Sequence, residues 1–123
     1  MAPFEYYLYM LNIDFDQRGL RFKFNADAEL RLQDSPEVLR ARVTELSLHG
    51  CFLETSRSFQ EQERLSVKIL KAGESFESQA EVVYSRPLGV GLMFVELDPR
   101  FRSILQKWML TTLDREAEEI PAN

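Results

Sequence analysis

Residues 21 to 32 alternate in polarity without a break. Phe22, Phe24, Ala26, Ala28, Leu30 and Leu32 are apolar, while Arg21, Lys23, Asn25, Asp27, Glu29 and Arg31 are polar. A period of two sorts these residues onto the two faces of an extended strand, whereas a helical period would scatter the apolar set around the axis. The segment is therefore a strand with one buried and one wet face. That commits the chain to a sheet whose apolar side has to be covered.

Further short strands follow at close spacing. Asp34-Ser35-Pro36 carries turn chemistry, after which Leu39, Ala41 and Val43 alternate with Arg40, Arg42 and Thr44. Gly50 interrupts, and Cys51-Phe52-Leu53-Glu54 begins another extended segment. A polar stretch from Ser56 to Glu63 is predicted as a loop. Leu65, Val67 and Ile69 form the next alternating run, and Ala72-Gly73-Glu74 makes a tight connection. Phe76, Ser78, Ala80, Val82 and Tyr84 are predicted to share one face of a fifth strand. Pro87 and Gly89 turn the chain, and Val90, Leu92 and Phe94 line one face of a sixth. Six short strands with hairpin spacing predict an antiparallel sandwich or small barrel rather than a parallel sheet.

One helix closes the pattern. Asp98 is its predicted N-cap, and Pro99 suits the first helical position because that amide needs no partner. Phe101, Ile104, Leu105, Trp108 and Met109 recur on one stripe, which must pack against the sheet. From Asp114 the sequence turns acidic. The expected organisation is a leader over residues 1–15, one domain over residues 16–113 and an acidic tail over residues 114–123. The leader is rich in aromatics (Phe4, Tyr6, Tyr7, Tyr9), which suits either a cover for the barrel edge or a surface for a partner.

Charge and composition narrow the function. Fifteen Lys+Arg against twenty Asp+Glu leave a net charge of −5, so neither nucleic acid nor an anionic membrane is an expected partner. An oligonucleotide-binding barrel would want a basic face studded with aromatics, which this balance disfavours. No apolar run is long enough for insertion into a membrane, and the leader lacks the basic start of a signal peptide, so the expected location is cytoplasmic.

Catalytic groups are scarce. A single histidine, His49, and a single cysteine, Cys51, assemble no metal site and no catalytic triad, and no glycine-rich phosphate loop occurs. The expectation is no enzyme, no metal and no cofactor. His49 fits a polar turn beside Gly50, and Cys51 a small core residue.

Two local arrangements remain. Asp16-Gln17-Arg18-Gly19-Leu20-Arg21 leads into the first strand, and Glu45-Leu46-Ser47-Leu48-His49-Gly50 joins the second to the third. Together they resemble the signature of the PilZ domain, the bacterial receptor module for cyclic di-GMP. That signature pairs an R-x-x-x-R motif before the first strand with D/N-x-S-x-x-G after the second. Gly89-Val90-Gly91-Leu92-Met93-Phe94 followed by a helix resembles the family's ending, so the likeness runs over about residues 16 to 110.

The resemblance implies an all-β fold, a six-stranded antiparallel β-barrel with one C-terminal α-helix. It also implies that cyclic di-GMP binds at the barrel rim through Gln17, Arg18, Arg21, Glu45, Ser47 and Gly50, and that binding changes a surface shown to an unidentified protein effector. Two departures stand out. Gln17 occupies the place of the first arginine, with Arg18 one residue later, and Glu45 replaces the shorter aspartate or asparagine. Guanidinium groups suit this ligand because they fork onto guanine O6 and N7, bridge phosphate oxygens and stack on purines. Gln17 can hydrogen-bond but cannot neutralise a phosphate. A second reading is therefore a degenerate PilZ adaptor that binds protein partners without nucleotide.

Within that frame Arg18 and Arg21 clamp phosphate and guanine, Glu45 accepts from a guanine N–H edge, and Ser47 hydrogen-bonds nearby. Gly50 permits the tight turn. Without a ligand, the two arginines are solvated charges and Ser47 and Gly50 only make a turn, the serine bonding local backbone and the glycine taking a positive φ. Arg40 and Arg42 either extend a positive patch or pair with Glu29 or Asp27 across the sheet.

Overall fold

The computed structural model describes residues 21–119, with side chains over residues 21–112. Six strands are formed: β1 (Phe22–Leu32), β2 (Val38–Leu46), β3 (Gly50–Glu54), β4 (Arg64–Lys71), β5 (Glu74–Arg86) and β6 (Gly89–Val95). A helix, α1 (Pro99–Glu119), follows them. All neighbours pair antiparallel in the order β1-β2-β3-β6-β5-β4, and β4 pairs back onto β1, so the barrel is closed and leaves no free edge. This is the fold class expected from the sequence.

The alternation of β1 does what its pattern requires. Phe22, Phe24, Ala26, Ala28 and Leu30 are buried, and they meet Val43, Leu46, Leu53, Val67, Ile69, Phe76, Val82, Val90 and Leu92 inside the barrel. Each large apolar side chain withdrawn from water contributes roughly 1.5–3 kcal/mol. The polar stretch before β4 is a loop as expected, but it is pinned inward by Phe59, which is buried and whose amide donates to Ser85 Oγ at 3.3 Å.

Helix α1 covers the barrel with its apolar stripe. Leu105, Trp108 and Met109 are buried, and Phe101 and Ile104 pack against the same core. The Trp108 ring stacks on Phe24 at 5.4 Å, and Phe76 lies among Phe94, Phe101 and Trp108. Asp98 caps the helix as predicted, its Oδ1 accepting the Arg100 amide at 2.8 Å. The Arg100 side chain also donates to that carboxylate and holds it below its ordinary range. The helix runs on beyond Leu113 to Glu119.

The register opposes Arg40 to Glu29 and Arg42 to Asp27 on adjacent strands. The positions are opposed, but neither Arg40–Glu29 nor Arg42–Asp27 closes to an ion pair. Three ion pairs occur among the described residues, Arg64–Glu81, Arg100–Asp98 and Lys107–Glu74.

One expectation is corrected by the packing. Tyr84 does not share a face with Val82. The pairing of β5 with β6 slips between Val82, opposite Leu92, and Tyr84, opposite Gly91. Val83 is thus an extra residue, a β-bulge, and it turns Tyr84 to the outside of the barrel. The physical reason lies in β6, where Gly91 offers an outer face with no side chain for the ring to settle on.

Candidate ligand-binding cleft

A second bulge sits in β2. Val43 pairs with Leu53, but Glu45 pairs with Phe52, so Thr44 is extra with respect to β3. Simple alternation from Leu39, Ala41 and Val43 would carry Glu45 into the core. The bulge instead turns its carboxylate outward and sends Leu46 in, where it is buried. A carboxylate aimed into the apolar interior would be far costlier than one unpaired residue in a ladder.

Beyond Leu46 the chain makes a tight turn organised by Ser47, which is buried. Its Oγ accepts from the amides of His49 and Gly50, both at 3.1 Å, and donates to the Gly50 carbonyl at 3.3 Å. The Ser47 amide donates to the same carbonyl at 2.9 Å. A hydroxyl has one proton and two lone pairs, so this one is fully engaged by its own turn. Ser47 therefore shapes the loop that carries the site.

Gly50 is needed for a reason other than positive φ. Its backbone is not in the left-handed region. A Cβ on Gly50 would overlap the Leu92 carbonyl oxygen of β6, so the requirement is close approach of two strands. His49 is a turn residue as expected. Cys51 is buried, and burial pushes its thiol up to about 12, the behaviour of an inert core residue.

These pieces surround a cleft of about 330 Å³ on the outer face of the barrel. Its lining combines polar residues, among them Arg21, Glu45 and Ser47, with Phe52, Tyr84 and Met93. The size is at the lower end for small-molecule sites. Four of its lining residues form one row of paired residues across four strands: Glu45, Phe52, Gly91 and Tyr84. None of the three ion pairs found among the described residues lies in it.

Four of the six residues proposed from the sequence thus meet at one place: Arg21, Glu45, Ser47 and Gly50. Gln17 and Arg18 lie outside the described residues. Sequence reasoning missed Phe52, Tyr84, Val83 and Met93. A signal for Tyr84 was present in the apolar run Val82-Val83-Tyr84, which breaks strict alternation opposite a glycine-bearing strand. Among the described residues no cluster of three or more His, Cys, Asp or Glu could hold a metal ion.

The comparisons with known proteins follow the same outline. The family model for the PilZ domain matches residues 15–111. No curated protein gives a match. Among solved structures, the PilZ domain of YcgR from Escherichia coli, determined with cyclic di-GMP, is similar at a TM-score of 0.68 and 18% identity, covering 85% of this chain and 99% of that one. YcgR in complex with cyclic di-GMP is similar at a TM-score of 0.66 and 23% identity, covering 85% of this chain and 48% of that one. The Bacillus subtilis inhibitor of motility, MotI/DgrA, gives a TM-score of 0.67 at 17% identity, covering 88% of this chain and 54% of that one. The chain thus spans about half the length of MotI and of the longer YcgR structure. At these identities the structural likenesses speak for the fold. The family match spans most of the sequence, and the chain belongs to the PilZ domain family.

Proposed function

We propose that this chain is a receptor module for cyclic di-GMP rather than an enzyme, acting in the cytoplasm on a protein effector. The observation that carries this reading is the convergence of Arg21, at the foot of β1, with Glu45 and Gly50, from the far end of β2 and the start of β3, on one open cleft. The ligand is a dianion with two flat guanines. Arg21 supplies a forked donor for phosphate oxygens or for guanine O6 and N7, and Glu45 supplies an acceptor for the guanine N–H edge. Gln17 and Arg18 precede the cleft in sequence and are proposed as further ligand-binding residues. Binding of the ligand would change the surface offered to the effector. YcgR, whose PilZ domain has been determined with cyclic di-GMP, lends the ligand its identity.

The adaptor reading keeps a specific foothold, since Gln17 lacks a charge and the Ser47 hydroxyl is already engaged. Calorimetric titration with cyclic di-GMP separates the two. Saturable binding that weakens about ten- to a hundredfold in Arg21→Ala, the range for losing one charge-assisted contact, supports the receptor. No binding by the wild type up to high micromolar ligand, with binding gained by Gln17→Arg, supports the adaptor.

A further inference from the structure

The turn between β5 and β6 carries a leucine that the fold does not use. Arg86 pairs with Gly89, so Pro87 and Leu88 are the two residues at the tip. Proline at the second turn position and glycine at the fourth are ordinary turn chemistry, but the third position asks for nothing apolar. Leu88 is 76% exposed, more than any other large apolar residue that reaches solvent among those described. A single exposed apolar side chain needs no explanation by itself. This one has neighbours that give it a setting.

The β3–β4 loop is bonded alongside the tip. The Thr55 amide donates to the Leu88 carbonyl at 3.2 Å, and the Phe59 amide to Ser85 Oγ at 3.3 Å. Arg57 lies between those two anchors, exposed, with its guanidinium 4.9 Å from the Phe59 ring centroid. Arg86, on the facing segment, is also exposed and lies 4.8 Å from the Tyr84 ring centroid. Neither arginine belongs to an ion pair among the described residues, and Glu54, exposed on the adjoining rung opposite Gly89, pairs with neither. A guanidinium laid on an aromatic ring keeps its N–H edge open to a carboxylate and has already given up part of its side-chain freedom. Residues 55–59 and 85–88 thus hold two arginines and no acid, on a chain whose net charge is −5.

We propose that this tip is a docking surface for an acidic segment of the protein effector. Pro87 and Leu88 meet an apolar side chain of that segment, and Arg57 and Arg86 each take a carboxylate. The assignment deepens the reading above and rests on its effector, whether the module is a receptor or an adaptor. Charge selects this occupant. A second copy of the chain would bring its whole −5 with it, and the same field repels an anionic membrane, whereas a short acidic segment need only meet the local cationic spot. Arginine is also among the residues enriched where proteins meet. Tyr84 lines the cleft and carries the Arg86 guanidinium on its ring, which places the docking surface one side chain away from the cleft.

The test is selection of random peptides displayed on phage against the immobilised full chain, with and without saturating cyclic di-GMP, beside calorimetry of the nucleotide. Selected peptides should cluster Asp and Glu around a large apolar residue. One of them, made synthetically, should shift the amide NMR signals of residues 55–59 and 85–89. Its affinity should fall at least about tenfold in Leu88→Ser and in the double variant Arg57→Glu/Arg86→Glu. Val38→Ser, which removes an exposed apolar residue of β2, should bind the peptide as the wild type does. Peptides without acidic residues, peptides that map elsewhere, or no enrichment in either nucleotide state overturn the docking surface. So does self-association, or binding to phosphatidylglycerol vesicles, that Leu88→Ser abolishes, since the tip is then a dimer or a membrane contact. Nucleotide binding by calorimetry alongside any of those results leaves the receptor reading intact. Acidic peptides selected by a chain that binds no nucleotide overturn the receptor and keep the docking surface as the adaptor's.

Discussion

Phe52 and Tyr84 stack on the outside of the barrel with ring centroids 6.1 Å apart, and the backbones of Gly89 and Gly91 lie where their rings settle. The pair comes from β3 and β5, which are not hydrogen-bonded to each other, and β6 between them is the strand that carries both glycines. Two aromatic side chains on the wet face of a small barrel are thus held by the absence of side chains on the strand they bridge. Removing that absence has different consequences at different glycines.

Gly91→Ala is expected to be tolerated at a modest cost. The new methyl meets Tyr84 Cε1 and Cζ, at the far end of a side chain that can swing outward. The loss should be about 1–2 kcal/mol in urea unfolding, in the range for mild overpacking. Most of it should vanish when Tyr84→Ala is added, so the double-mutant cycle is strongly non-additive.

Gly50→Ala is expected to be severe. There the methyl meets the Leu92 carbonyl of β6, backbone within the β3–β6 ladder, and no side chain can yield. The destabilisation should exceed about 3 kcal/mol, and truncating neighbours should not restore it. Ser47→Ala, which orphans the buried amides of the same turn, should cost about 1–3 kcal/mol. If unfolding of Gly50→Ala matched that of Gly91→Ala, the close approach of β3 and β6 would be refuted.

Cys51 gives the fold an alkaline limit. Burial pushes its thiol up to about 12, whereas an unfolded chain's thiol ionises near pH 8.5. Between those values the unfolded state binds fewer protons, so stability falls as pH rises, by up to about 1.4 kcal/mol per unit. Below about pH 8 the contribution is complete and flat. Urea midpoints for wild type and Cys51→Ala should diverge in slope from pH 8.5 to 10, the alanine variant falling less. Parallel slopes would place the thiol in contact with water.

The β4–β5 hairpin turns at Ala72 and Gly73 with φ of 51° and 79°, two left-handed residues in a row. That is the turn for which Asn-Gly is the preferred pair, and a Cβ-bearing alanine pays for the left-handed region. Ala72→Asn should stabilise the domain by about 0.5–1 kcal/mol, read as a higher urea midpoint with the ligand affinity unchanged.

The strands of this barrel were readable because period-two patterning is a local property: each apolar residue of β1 announces its face without knowledge of its partners. The capped helix was readable for the same reason, since Asp98-Pro99 and the stripe from Phe101 to Met109 are contiguous. Half of the cleft was also readable, as Arg21, Glu45, Ser47 and Gly50 follow motif spacing. The role of Gly50 was misread, because a collision with Leu92 in β6 involves a strand about forty residues away.

From residue order alone, then, came the number of strands, the buried face of each, the terminal helix and the polar end of the site. Tertiary structure alone decided where the alternation slips. Whether an extra residue at Thr44 or Val83 is absorbed depends on the strand alongside, because a bulge is a mismatch between two ladders and not a property of one. Those two slips turn Glu45 and Tyr84 to the same outer face, and pairing through β3 and β6 sets them on a single row. No sequence window contains that row, and it is what makes one cleft out of a carboxylate, an arginine and an aromatic wall.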